Sequence, residues 1–200
     1  IFMPDWSATV LLHTLDNPNA YGTSDGDMFS RASAISGNYA IVGSQFEDDA
    51  SGGSSGKAYI FDVTTGTLLH TLDNPSGAGN ADSFSESVAI SGNYAIVGAP
   101  GEDDAGGSDS GKAYIFNVTT GELVHTLDNP TAYGTGQYDY FGSSTAIDGN
   151  YAIVSAPYES DSGAPLSGGR SGKAYIFDVA TGAFLRTLDN PNAYGTSVKR

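Results

Sequence analysis

Three short motifs recur along the chain, and their spacing constrains the fold more than any other feature. TLDNP begins at Thr14, Thr71, Thr126 and Thr187. GNYAIV begins at Gly37, Gly92 and Gly149, and SGKAYIF begins at Ser55, Ser110 and Ser171. The four TLDNP starts are 57, 55 and 61 residues apart. A period of this length indicates a solenoid or propeller built from repeated units.

The small differences in period fall in only two places. From the glycine of GNYAIV back to the preceding recurrent phenylalanine the distance is 8 residues in every repeat. By contrast, the proline of TLDNP is followed by that phenylalanine after 11, 9 and 11 residues, and a recurrent glutamate precedes the lysine of SGKAYIF by 10, 10 and 14 residues. Strands cannot change length without a shift of register, whereas surface loops can. The constant blocks therefore predict strands and the variable blocks predict loops.

Each repeat contains four short strand-like segments. In the second repeat we predict strands over Phe84–Ile90, Tyr94–Ala99, Lys112–Val118 and Leu123–Leu127. These segments are rich in Val, Ile, Tyr, Phe and Thr, and turn-forming residues separate them. The two middle segments are apolar on both faces, which is typical of a sheet packed between two others. The pattern favours an all-β fold of β-propeller blades, each a four-stranded antiparallel sheet.

The motif positions divide the chain into units. We predict three full blades over 19–75, 76–130 and 131–191, an outer strand of a preceding blade within 1–18, near 8–15, and the start of a following blade at 192–200. A propeller buries each blade against both neighbours. We therefore expect the chain to be an excerpt, with its end blades covered by further blades of the same polypeptide or by other copies of the chain.

The charge of the chain narrows the classes of partner. There are 23 acidic and 8 basic side chains, so the net charge is −15. Such a charge argues against nucleic acid and anionic membrane surfaces as partners. Cysteine is absent, and no apolar run approaches the roughly 18 residues of a membrane span, so we predict no disulfides and no membrane insertion.

Two short motifs give the repeats a family resemblance. The pairs Phe141-Gly142 and Phe84-Ser85 are followed by Ser155-Ala156-Pro157 and Gly98-Ala99-Pro100, respectively. In this the chain resembles FG-GAP repeats, which build the propellers of integrin α subunits and of many bacterial surface proteins. The resemblance implies a propeller and an extracellular or cell-surface location, and it leaves the total number of blades open.

The resemblance does not carry over the calcium loop that many FG-GAP repeats have before the GAP strand. Ser-Gly-Asn or Asp-Gly-Asn occupies that place, beginning at Ser36, Ser91 and Asp148. Three residues with at most one carboxylate cannot supply the 6–8 oxygens that calcium requires. The chain is similar to a bacterial variant without this loop, and the glycine and asparagine predict tight turns with positive φ.

A second acidic segment follows the GAP position in each repeat. Its candidate cation ligands are Glu47, Asp48, Asp49, Glu102, Asp103, Asp104, Asp109, Glu159 and Asp161. We interpret these segments first as solvated turns and second as weak calcium sites, with affinities of roughly 10⁻⁴–10⁻³ M. No cofactor is required under either interpretation. Because the segments are expected to be solvated, their carboxylates should not have raised pKa values.

Other residues recur at fixed positions in the repeats. Asp27, Asp82 and Asp139 predict Asx turns before the inner strand. His13, His70 and His125, replaced by Arg186 in the fourth copy, are expected on the outer strand, and Lys57, Lys112 and Lys173 at a strand edge or beside acids. Tyr21, Tyr133 and Tyr194 are candidate ligand contacts in loops, or covers for the blade ends.

No arrangement of catalytic residues is recognisable. The chain has no cysteine, no G-x-S-x-G nucleophile elbow, and no phosphate-binding or dinucleotide fingerprint. We therefore expect a non-catalytic structural or adhesive module of a cell-surface, virion or extracellular protein that contacts protein or glycan through loops. The alternatives are a carbohydrate-binding lectin propeller and the accessory propeller of a larger hydrolase or lyase.

Overall fold

The computed structural model describes residues 10–18, 26–48, 54–77, 82–103, 107–130, 137–159 and 171–191. The first four strands are β1 (Phe29–Ser36), β2 (Tyr39–Ser44), β3 (Lys57–Asp62) and β4 (Leu68–Asp73). The next four are β5 (Ser87–Ser91), β6 (Tyr94–Ala99), β7 (Lys112–Asn117) and β8 (Leu123–Asp128). The last four are β9 (Thr145–Asp148), β10 (Tyr151–Ala156), β11 (Lys173–Asp178) and β12 (Phe184–Asp189).

The strands form three antiparallel four-stranded sheets, with strand orders β1-β2-β3-β4, β5-β6-β7-β8 and β9-β10-β11-β12. The inner strand β5 contacts both β1 and β9, so the sheets lie side by side around their inner strands. The fold is therefore all-β and consists of propeller blades, as the sequence predicts. Among the described residues, no helix has the length and apolar character needed to cross a membrane.

The core lies between the sheets. One cluster joins Ile41, Ile60 and Leu72 of the first sheet to residues of the second, including Phe84 and Tyr114. An equivalent cluster joins the second sheet to the third. Both faces of the middle strands of the second sheet are thus covered, which explains why YAIV and KAYIF do not alternate between apolar and polar residues.

The predicted start of the inner strand is wrong by about three residues in the second repeat. Phe84 lies in a turn, and β5 begins at Ser87. Ser83 and Ser85 have φ of +55° and +74°, a left-handed conformation that interrupts the regular pairing of an extended strand. In the first repeat Phe29 begins β1, but the register shifts between Phe29 and Ser33.

The turns between the first two strands of each sheet are tight, as predicted, but only the glycine has positive φ. Gly37, Gly92 and Gly149 have φ of +56°, +56° and +53°. The following asparagines do not adopt positive φ. A glycine of positive φ at the first central position is the pattern of a type II′ hairpin turn.

The segment 10–18, predicted as an outer strand, pairs with none of the described strands. This segment nevertheless packs against the first sheet in the same way that β4 packs against the second sheet. Leu15 packs on Val42, Tyr59 and Phe61, while Leu72 of β4 belongs to the cluster that joins the first and second sheets. Its position is that of an outer strand, although none of the described strands pairs with it.

Candidate functional site

The first glutamate of each acidic segment is buried, not solvated. Glu47, Glu102 and Glu159 are 0 %, 2 % and 0 % exposed. Each follows a tight turn after the second strand, in which its backbone N–H donates to the carbonyl of Ser44, Ala99 or Ala156 at 3.1–3.3 Å. The sequence interpretation of a solvated turn is therefore wrong for these three residues, because the turn directs them back under the end of the sheet.

A buried tyrosine from the AYIF strand partners each of these glutamates. The Tyr114 hydroxyl donates to Glu102 Oε2, and the Tyr175 hydroxyl donates to Glu159 Oε2. Both tyrosines are almost fully buried. A buried tyrosine hydroxyl requires a polar partner, and a carboxylate is a strong one. The apolar strand and the acidic loop are thus joined by one hydrogen bond in each of these two repeats.

An aspartate and an asparagine complete the cluster across the junction between blades. The asparagines of TLDNP donate through Nδ2 to the aspartates that precede the recurrent phenylalanine: Asn17 to Asp27 at 3.1 Å, Asn74 to Asp82 at 2.8 Å and Asn129 to Asp139 at 3.2 Å. Asn17 and Asn129 also donate to Glu47 and Glu159, at 3.1 and 3.0 Å. The sequence predicts only an Asx turn for these aspartates, so the hydrogen bond from the asparagine side chain is an additional contact.

The third partner of the glutamate differs between the repeats. Ser44 Oγ donates to Glu47 Oε2 at 3.0 Å, and Ser76 Oγ donates to Glu102 Oε1. In the third repeat Lys173 Nζ lies 3.0 Å from Glu159 Oε1, with both side chains buried. The equivalent lysines of the first two repeats pair with exposed aspartates: Lys57 with Asp73 and Lys112 with Asp128. The interpretation of these lysines as partners of acids is confirmed.

Burial dominates the electrostatics of the clusters. It raises the pKa of Glu47 and of Glu102, and the hydrogen bonds from Ser44, Asn17, Ser76 and Tyr114 only partly offset the effect. Burial and the neighbouring carboxylate also raise the pKa values of Tyr59 and Tyr114. Glu47 Oε1 is buried without a hydrogen-bond partner, which further disfavours the charged form. The expectation of unraised pKa values is therefore wrong for these two glutamates.

The remaining acidic candidates stabilise loops. Asp48 accepts a hydrogen bond from Ser54 Oγ at 3.3 Å, and Asp103 Oδ1 accepts one from the Asp109 backbone N–H at 2.9 Å. Partial burial, and then the charge of Asp103, raise the pKa of Asp109. Asp49, Asp104, Asp161, Tyr21, Tyr133 and Tyr194 lie outside the described residues.

The described carboxylates do not fit a calcium ion. Within the described ranges, no group of three or more acidic, histidine or cysteine side chains is arranged to hold a metal. Calcium takes 6–8 oxygens, and the buried glutamate of each repeat is already used by hydroxyl, amide or ammonium donors. The chemistry that this arrangement supports is cohesion between blades.

The outer-strand histidines also join blades, which the sequence interpretation did not foresee. Nε2 of His13, His70 and His125 lies 3.0–3.1 Å from the carbonyl oxygen of Thr64, Thr119 and Ala180, respectively. Each of these carbonyls belongs to the turn before the outer strand of the following sheet. A single repeat does not reveal this contact, because the partner is one repeat further along the chain.

Comparison with known proteins gives one family match. The model of the FG-GAP repeat matches residues 19–61, 74–116 and 131–177, which together make up more than half of the chain. No curated protein has significant sequence similarity to the chain.

Two solved structures are similar in fold. The chain is 17 % identical to the computationally designed Ika4 protein, with a TM-score of 0.51, and the match covers 84 % of this chain and 76 % of Ika4. The computationally designed Ika8 protein is 17 % identical, with a TM-score of 0.48, and the match covers 82 % of this chain but only 37 % of Ika8. At these identities the likeness to Ika4 concerns the fold alone, and the lower TM-score of Ika8 carries no weight.

Proposed function

Because this chain belongs to the FG-GAP repeat family, we propose that it is a non-catalytic structural or adhesive module of an extracellular, cell-surface or virion protein. Its strands and blade junctions form the scaffold, and its loops contact protein or glycan partners. FG-GAP repeats are typical of extracellular proteins, which supports the proposed location.

The observation that carries the non-catalytic proposal is the use made of the recurrent acids. Glu47, Glu102 and Glu159 expose no more than 2 % of their surface. A general acid or base must come within hydrogen-bond reach of a substrate, and these carboxylates are buried in hydrogen bonds to side chains of the same chain. The raised pKa values of Glu47 and Glu102 arise from burial inside a junction between blades.

The distribution of length changes supports contact through loops. The asparagine, aspartate and glutamate that join blades recur in all three repeats, whereas the acidic segment from the glutamate to the lysine is 14 residues long in the third repeat and 10 in the other two. Segments free to vary on a rigid scaffold are the usual location of binding residues.

The test compares the full chain with a loop variant on glycan and extracellular-protein arrays. Removing four residues from the acidic segment of the third repeat gives this segment the length that it has in the first two repeats. The same fold already accommodates that shorter length. We expect binding that weakens in this variant while thermal unfolding is unchanged. The proposal is wrong if the chain turns over hydrolase or lyase substrates and one carboxylate substitution abolishes that turnover.

The outer face of the third sheet is exposed, which supports a further blade as its partner. Leu72 and Leu127 are 2 % and 1 % exposed because the next sheet covers them, but Leu188, at the same position of the third sheet, is 43 % exposed. We propose that a further blade or another copy of the chain covers this face. Light scattering of the 200-residue chain should show association at micromolar concentration, and a stable monomer would contradict the proposal.

A further inference from the structure

An open cleft lies between the inner ends of the second and third blades. Its volume is about 620 Å³, and Glu86, Tyr138, Tyr140, Ser143, Pro157 and Tyr158 line it. Tyr138 and Tyr158 are 43 % and 44 % exposed. A volume of this size is in the range of small-ligand sites. The buried carboxylates Asp139 and Glu159 are not among its lining residues, although they are the chain neighbours of its tyrosines.

The aromatic walls of the cleft are held in place by the backbone. The rings of Tyr140 and Tyr158 are 5.3 Å apart between centroids and inclined at 69°, so they form a corner. The backbone N–H of Tyr138 donates to Ser108 at 2.9 Å, and that of Tyr140 donates to Asp109 at 3.1 Å. Because the tyrosines are anchored in this way, a ligand would lose little free energy in ordering the site.

The repeat fold does not require tyrosine at these positions. The first repeat has Gly26, Met28 and Phe46 there, and the second has Ala81, Ser83 and Gly101. Tyr138 and Tyr140 have φ of +64° and +52°. Gly26, Met28 and Ser83, at the equivalent positions, also have positive φ, of +101°, +53° and +55°, so this conformation belongs to the repeat and only the tyrosine side chains are particular to the third blade. Since the first repeat forms the same turn hydrogen bonds with glycine, methionine and phenylalanine at these positions, the turn itself does not require the three tyrosines.

We propose that this cleft binds an organic cation, specifically an alkylammonium or trimethylammonium group. The faces of tyrosine rings carry negative electrostatic potential and attract such cations. Glu86 adds a carboxylate at the rim, and the net charge of −15 raises the local concentration of cations. A neutral sugar would also stack on tyrosine but would gain nothing from these charges.

The decisive measurement compares choline with its neutral carbon isostere 3,3-dimethylbutan-1-ol, by calorimetry or by NMR titration of the full chain. The two probes have the same shape, so only the charge differs. We expect choline to bind about 2- to 30-fold more tightly, and less tightly as salt increases. Equal affinities, no binding of choline at millimolar concentration, or a preference for methyl glycosides would overturn the proposal.

Variants taken from the chain's own repeats locate the site. Tyr158→Gly introduces the residue of the second repeat, and Glu86→Gln removes one charge while retaining shape. Both should weaken choline binding, whereas Glu122→Gln, in the exposed β7–β8 turn that does not line the cleft, should not. If wild-type affinity persists in both cleft variants, the site is elsewhere and the proposal is wrong.

Two sources of the ammonium group are distinguished by a further arm of the experiment. Co-sedimentation with phosphatidylcholine vesicles that is lost in Tyr158→Gly would identify a lipid head group. Binding of free choline without co-sedimentation would identify a small molecule. Circular dichroism of each variant verifies that the fold is intact, and the comparison of wild type with choline and its isostere does not depend on any variant.

Discussion

Replacing Gly98 by alanine should destabilise the protein through the junction between the second and third blades. Gly98 lies in β6, and its backbone φ is outside the left-handed region, so alanine is conformationally allowed. An added Cβ would nevertheless lie 2.0 Å from the carbonyl oxygen of Gly142 and 2.5 Å from Ser87 Oγ. The third blade would have to move by about 1.4 Å to bring this distance from 2.0 Å to the 3.4 Å of ordinary van der Waals contact.

The cost follows from this forced displacement. Overpacking typically costs 1–3 kcal/mol, and a clash with backbone should be at the upper end, about 3 kcal/mol. For a chain of this size that corresponds to a fall in Tm of roughly 6–12 °C. Thermal unfolding followed by circular dichroism, with a guanidinium titration for the free energy, measures both quantities.

Matched glycine variants separate the clash from other effects. Gly43→Ala, where the added Cβ would lie 2.5 Å from the Ser85 oxygen, should cost less than Gly98→Ala. At Gly92 an added Cβ would have no neighbour within 4 Å, but the backbone has a φ of +56°. Gly92→Ala should therefore lower the free energy of unfolding by only the roughly 1–2 kcal/mol of a left-handed alanine. The reasoning is refuted if Gly98→Ala costs no more than Gly92→Ala.

Three further outcomes are expected. Because the pKa of Glu102 is raised, the folded state keeps the proton of this carboxyl at pH values above 4.5, where the unfolded state loses it. The free energy of unfolding should therefore fall as pH rises from about 4.5. In denaturant titrations at several pH values, Glu102→Gln should reduce this slope and Glu122→Gln should not. His70→Ala should lower the free energy of unfolding by about 0.5–1.5 kcal/mol, because the hydrogen bond to the Thr119 carbonyl is lost. Arg186→Ala is the control, since its sheet has no following neighbour in the described part of the chain. An equal loss of stability in Arg186→Ala would argue against a junction role for His70. Calorimetry at millimolar calcium should show no site tighter than about 10⁻⁵ M, and a tight site retained in Asp103→Asn would contradict this.

Most of the fold could be predicted because it is encoded in the period of the sequence. Repeated motifs of constant spacing identify four strands per unit, and length changes identify the loops. The start of the inner strand was misplaced because positive φ at Ser83 and Ser85 is unusual for serine, and nothing in the residue types signals it.

The candidate site was less predictable because its partners come from different repeats. Glu102 belongs to an acidic, glycine-rich segment, which indicates solvation, yet the turn after Ala99 buries it beside Tyr114. One sign was present in the sequence: the same glutamate and the same tyrosine recur together in all three repeats. The tyrosines of the cleft were missed for the opposite reason, since Tyr138, Tyr140 and Tyr158 occur at their positions in one repeat only.

The span of the junction contacts along the chain bears on how the protein folds. His70 and Thr119 are 49 residues apart, His125 and Ala180 are 55 apart, and Gly149 and Ser91 are 58 apart. None of these bonds reaches beyond the neighbouring repeat. Each blade can therefore dock as soon as its own strands leave the ribosome, onto a blade that is already formed. Assembly in the order of synthesis would let each new repeat meet the face of the blade made just before it, which limits the chance that it docks on the wrong, nearly identical repeat.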